Sequence, residues 1–184
     1  YFQVQLDKHQ VEVRLGVRAS HDMLVAEGFD VVILATGVTP REITLKGIDH
    51  PMVLGYTDVL KEQQTVGERV AIIGAGGIGF DVSEYLLHKE VGTPTLETFS
   101  AAWGIDLEYA NRGGLREPES PHPARTIYLC QRSKTKPGAN LGKTTGWIHR
   151  ASLRKNGVQF LTGVTYQRID DDGLYILEDG QERL

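Results

Sequence analysis

The run Val70-Ala-Ile-Ile-Gly74-Ala-Gly76-Gly-Ile-Gly79-Phe80 constrains this chain more than any other stretch. Four apolar residues in a row read as a fully buried parallel strand, and Val82, Tyr85, Leu86 and Leu87 follow at helical spacing. Between strand and helix stand glycines spaced G-x-G-x-x-G, the context in which that pattern becomes a dinucleotide fingerprint. Gly74 makes a turn that side chains would obstruct, Gly76 admits a pyrophosphate to the backbone, and Gly79 lets helix and strand pack closely. The backbone of Gly74, Ala75, Gly76, Gly77, Ile78 and Gly79 is therefore the predicted phosphate cradle, with the helix amino terminus supplying free N–H groups.

At 184 residues there is room for one domain, or one domain with a piece of a second. A hydrophobic share of 40% and a charged share of 24% fit a globular chain with a core. The net charge of −4 argues against nucleic acid or an anionic membrane as partner. No apolar run nears the roughly 20 residues of a bilayer span, and no signal peptide opens the sequence, so a cytoplasmic protein is expected. Cys130 stands alone, which leaves no disulfide framework or C-x-x-C motif, and its apolar strand makes it a small core residue.

Along the chain, Tyr1 to Asp7 reads as the last turns of a helix and Gln10 to Val17 as an alternating strand. Arg18 to Gly28 is a polar connection, and Phe29 to Ala35 a buried strand leading into Ala35-Thr36-Gly37-Val-Thr-Pro40. Residues 42–65 form a linker with a short helix at Thr57 to Gln63, capped by Thr57. From Val66, strand and fingerprint helix run to about Lys89. Residues 91–125 then carry Pro94, Pro118, Pro121 and Pro123, four of the seven prolines. So long a connection is read as an insertion, anchored by Trp103, Ile105 and Leu107. A second strand at Thr126 to Cys130, a helix from Thr144 to Asn156 and a third strand at Val158 to Thr162 follow. Strands at Thr165 to Ile169 and Leu174 to Leu177, with Asp179-Gly180 turning into a last one, make a meander. The sum is an α/β, Rossmann-like three-layer pyridine-nucleotide domain of the disulfide-reductase type. It has three βα crossovers and a β-meander, lacks its final parallel strand, and follows a segment at 1–41 that resembles part of an FAD domain.

The second strand ends in Gln131-Arg132-Ser133-Lys134, where an NAD site would place an acid for the ribose 2′-hydroxyl. Arg132 and Lys134, with Ser133 between them, suit a 2′-phosphate instead, so NADPH is favoured over NADH. The Ala35-Thr36-Gly37 backbone lies at the carboxyl end of a predicted strand, where ligands of open α/β sheets collect. Ahead of a dinucleotide fingerprint, it is similar to the segment of flavin-dependent pyridine-nucleotide oxidoreductases that borders FAD.

With these pieces placed, the chain resembles the bacterial NADPH-dependent 2,4-dienoyl-CoA reductases over nearly its full length. The resemblance rests on Gly47-Ile-Asp-His-Pro51, the run Ala71 to Asp81, Trp103-Gly-Ile-Asp106, Lys136-Pro-Gly138, Leu141 to Arg150 and Ile169 to Leu174. It implies a larger polypeptide with an FMN-bearing barrel, a 4Fe–4S cluster, and an FAD domain holding an inserted NADP domain. Electrons would run from NADPH to FAD, through the cluster, to FMN and on to a 2,4-dienoyl-CoA of unsaturated fatty acid β-oxidation. FMN, the cluster and the substrate-reducing residues would lie outside this chain, and Cys130 matches no cluster ligand.

Other sharp readings yield to plain ones. Gly142-Lys143-Thr144 lacks the spacing of a P-loop, because Pro137 stands where the first glycine belongs, though Lys143 is expected near the nucleotide. Asp170 to Asp172 read as a turn ending in Gly173 rather than a metal site. His149 reads as a packing or surface residue on its helix. Two functions stay open: a segment passing hydride from NADPH to FAD, and an ADP-type nucleotide-binding module without hydride chemistry.

Overall fold

The computed structural model describes residues 1–88, 94–119 and 123–184. The chain divides into two compact units, Tyr1–Glu42 and Ile43–Leu184.

The first unit holds two short helices, α1 (Phe2–Lys8) and α2 (His21–Glu27). Ser20 Oγ accepts from the Met23 N–H at 3.3 Å, and Gly28 closes α2 in the left-handed conformation at φ 67°. Part of the expected connection at 18–28 is therefore helix. Neither expected strand forms. Gln10 to Val17 is irregular, with Gly16 at φ 71° and Arg14 paired to Glu12 and Glu27. Phe29 to Ala35 pairs with no strand among the described residues, and Val31, Ile33 and Leu34 are 77%, 85% and 80% exposed. The physical reason is partnership: an extended segment satisfies its amides only beside another strand.

The second unit carries the sheets. After a turn region, α3 (Tyr56–Leu60) leads into β1 (Arg69–Ile73) and α4 (Gly77–His88). Helix α5 (Leu96–Trp103) and a 3₁₀ turn at Arg112–Gly114 precede β2 (Thr126–Gln131), α6 (Gly146–Lys155) and β3 (Gln159–Thr162). The meander is β4 (Thr165–Asp170), β5 (Gly173–Glu178) and β6 (Gln181–Arg183). Strands β1-β2-β3 form one parallel sheet in that order, with Val70 beside Ile127 and Leu129 beside Phe160. Strands β4-β5-β6 form a separate antiparallel sheet. Two crossovers, not three, join the parallel strands, because β4 enters the meander rather than the parallel sheet.

Alternation along β2 builds the layers. Ile127 and Leu129 face a core with Phe80, Val82, Leu86 and Leu153 from α4 and α6. Tyr128 and Cys130 face the opposite core, with Leu161, Val164 and Ile176 beneath the meander. Helices, parallel sheet and meander are the three layers. Cys130 is buried, and desolvation pushes its thiol up to about 11. β1 departs from the expected full burial. Its only ladder among the described residues is with β2, and Arg69 and Ala71 are exposed.

Residues 43–65 are more than a linker. The Ile169 N–H donates to the Lys46 carbonyl at 2.9 Å, His50 Nε2 meets Asp171 at 3.0 Å, and α3 packs on α4. Gly47 is required there, since a Cβ would fall 2.0 Å from the Ile169 carbonyl oxygen. Gly55, not Thr57, caps α3, its N–H donating to Asp58 at 2.7 Å. Of the expected insertion anchors, Ile105 bridges to Leu115 and Trp103 stacks under Lys155, but Leu107 is exposed. Asp106 takes its place, accepting N–H bonds from Glu108 and Asn111, which hold its carboxyl below the usual range. The remainder of the insertion, at 91–93 and 120–122, lies outside the described residues.

Candidate functional site

The glycine loop forms because β1 must turn sharply into α4. Gly74 takes φ 111°, a conformation open chiefly to glycine, while its N–H donates to the Cys130 carbonyl at 2.8 Å. A Cβ at Gly79 would lie 1.9 Å from the Gly74 carbonyl oxygen and 3.2 Å from Leu129 Cδ1. A Cβ at Gly76 would meet nothing within 4 Å. Gly79 is thus a packing glycine, whereas Gly76 leaves open space beside the backbone.

Facing this loop is the β2–α6 connection, and the two enclose a cavity of about 500 Å³. Ala75, Gly76 and Gly77 line one wall. Gln131, Ser133, Thr135 and Lys136 line another, and Gly138 to Gly142 complete it. The Gly138 N–H donates to the Ala75 carbonyl at 3.1 Å and ties the walls together. Gln131, at the strand position where an acid would sit in an NAD site, donates its side-chain amide to the Ser133 and Thr135 carbonyls at 3.0 and 2.5 Å. Ser133 Oγ also accepts from the Thr135 N–H at 3.1 Å. No carboxylate lines the cavity among the described residues, so nothing there repels an anion.

The sequence-predicted residues divide between this cavity and its surroundings. Ala75, Gly76, Gly77 and Ser133 line it, with Gly74, Ile78 and Gly79 in the same loop and helix start. Arg132 and Lys134 are exposed and are not among the lining residues. The Lys134 stem instead lies beside Gly163, whose Cβ would fall 2.9 Å from Lys134 Cγ. Arg132 lies within electrostatic reach of Tyr166, opposing the burial that raises that phenol to about 12. Lys143 is exposed and does not line the cavity, although Gly142 does. Ala35, Thr36 and Gly37 belong to the first unit, in a segment with no strand. Sequence reasoning missed Gln131, Thr135 and Asn140 as lining residues, and noted Lys136 only within a Lys-Pro-Gly triplet. Their one common signal was position, at the last residue of β2 or in the loop that follows it.

His149 has a partner that sequence could not name: its Nδ1 lies 3.1 Å from Glu84 Oε1, linking α6 to α4. The aspartate turn holds no metal-like cluster among the described residues. No described helix is long and apolar enough to cross a membrane.

A glycine loop between a parallel strand and a helix, opposite an acid-free loop, defines an α/β nucleotide-binding unit of the disulfide-reductase type. The chain belongs to the pyridine nucleotide-disulphide oxidoreductase family, whose model matches residues 2–184. Members bind NAD(P)H and FAD. Among curated relatives, it is 43% identical over 103 residues to a cinnamate reductase of Clostridium sporogenes, covering 55% of this chain and 15% of that protein. It is 34% identical over 116 residues to an NADH oxidase of Thermoanaerobacter brockii, covering 61% of this chain and 18% of the relative. A solved 2-naphthoyl-CoA reductase in complex with 2-naphthoyl-CoA shares the fold at a TM-score of 0.68 and 22% identity, over 100% of this chain and 23% of that one. The chain thus spans less than a quarter of the length of each of these proteins.

Proposed function

We propose that this chain binds NADPH between the glycine loop and the β2–α6 connection, as the hydride-donating half of a flavin-dependent reductase. The observation that carries the reading is the cavity itself: backbone of Ala75, Gly76 and Gly77 faces an acid-free wall. The glycine-loop N–H groups at the start of α4 would take the pyrophosphate, and the absent side chain of Gly76 would leave it room. Arg132 and Lys134 would pair with the 2′-phosphate at the outer end, and Ser133 would line the approach. Ala35, Thr36 and Gly37 would border FAD, an assignment supported by sequence alone. When bound, the nicotinamide supplies a hydride and the flavin accepts it. The protein's share is to hold the two in register and keep water away.

For the whole polypeptide, the proposed acceptor is a 2,4-dienoyl-CoA, reached through a 4Fe–4S cluster and FMN as the resemblance implies. The cinnamate reductase relative supports an unsaturated acid derivative as the acceptor class. The NADH oxidase relative makes cofactor choice the point to test. Calorimetric titration with NADPH, NADH and ADP is expected to rank NADPH first. Equal affinities for all three would favour the ADP-type module. Arg132→Ala is expected to weaken NADPH more than NADH, and unchanged selectivity would remove the 2′-phosphate assignment.

A further inference from the structure

Lys136 is the one charged residue among the described residues lining the cavity. Its ammonium has no hydrogen-bond or ion-pair partner among the described residues, and its lining neighbours Gln131, Ser133, Thr135 and Asn140 are neutral. An uncompensated cation beside an acid-free cavity favours an anion there. What fixes Lys136 is the turn that follows it. Pro137 and Gly138 are buried, and Gly138 sits at φ 65° against Phe80, whose ring carbons would be 2.9 Å from an added Cβ. Below, the Gly138 N–H reaches the Ala75 carbonyl; from the side, Arg150 Nη1 donates to the Gly138 carbonyl at 3.1 Å. Arg150 comes from α6 and pairs with no carboxylate among the described residues. A guanidinium usually finds an acid. Here its partner is a neutral main-chain oxygen of the turn that carries Lys136.

We propose that Arg150 is a positioning residue: it pins the Pro137-Gly138 turn to the glycine loop and thereby places Lys136 to receive a phosphate of the bound nucleotide. The inference rests on the nucleotide-binding reading above and adds the residue and the strut that the fingerprint does not name.

A double-mutant cycle on the 184-residue chain tests it, with NADPH affinity read by calorimetry and folding by thermal melts. Lys136→Met and Arg150→Met are each expected to weaken NADPH about tenfold, the size of one lost charge-assisted contact. The double variant is expected to bind about as well as either single one, because the strut then has nothing left to place. Arg150→Lys, which keeps a donor, should recover most of the loss. Losses that multiply in the double variant, or an Arg150→Met that binds like the parent, would overturn the proposal. If Arg150→Met melts early, Arg150→Ala, which also removes the donor, replaces it in the cycle, and the same outcomes support or overturn the proposal. A parent that binds no NADPH, NADH or ADP removes the nucleotide reading and this inference together. A parent that binds while the cycle is additive removes only this one.

Discussion

Two apolar runs of this chain look alike in sequence and differ in fate. Val70 to Ile73 lies in a ladder with β2, and its carboxyl end feeds the glycine loop. Phe29 to Ala35 holds the same number of β-branched residues, Val31, Val32 and Ile33, yet it stays irregular and exposed. The difference lies in the neighbours. Val70 and Ile72 pack against the core that α4 covers, and their amides pair with β2, whereas the earlier run has no strand beside it among the described residues. Strand propensity states a preference, and a partner strand decides whether it is realised.

The sharpest way to break the contrast is Gly79→Ala. With a Cβ 1.9 Å from the Gly74 carbonyl, the start of α4 must move. Stability is expected to fall by about 3 kcal/mol or more in thermal melts, and NADPH binding to vanish. Next, Leu129→Ala, at a position 0% exposed, should cost about 2–5 kcal/mol by denaturant unfolding. Leu34→Ala, at 80% exposure, should stay within about 0.5 kcal/mol. Equal effects at these two positions would mean that the first unit has a core after all.

A pH series sharpens the contrast further. Burial raises the Cys130 thiol to about 11, so between pH 9 and 11 the unfolded chain releases this proton while the folded one keeps it. Stability should therefore fall across that window, by up to about 2 kcal/mol. Tyr166, raised by burial to about 12, extends the fall upward. Cys130→Ala should flatten the lower part of the profile, and an unchanged slope would show that the thiol is not the cause. A more local effect belongs to Ser20→Ala, which removes the α2 cap and should cost that helix about 1 kcal/mol. It would be seen as lost helicity in circular dichroism, with the melting of the second unit unmoved.

The second unit was legible because its signals reinforce one another. The glycine spacing, the apolar run before it and the helical spacing after it point to one strand–turn–helix. Asp179-Gly180 became a hairpin turn with both residues at positive φ, as its type demands. Less legible was whatever depended on distant partners. The helix at His21–Glu27 was written in Ser20 and Gly28, but a seven-residue segment with its apolar residues in one run gives little periodicity to read. The role of Asp106 needed Glu108 and Asn111 folded back upon it. At the site, charge type pointed to Arg132 and Lys134, while the chain path brings Lys136 to the cavity wall. Counting residues past a strand end cannot resolve that difference, because the Gln131 amide curls the loop back on itself.

Phe80 belongs at once to the main core and to the seat of Gly138. One ring is therefore both keystone of the interior and bedrock of the cavity wall. Mutational drift beneath it would be felt at the cavity's rim, so durability and the proposed nucleotide grip would evolve in step rather than apart.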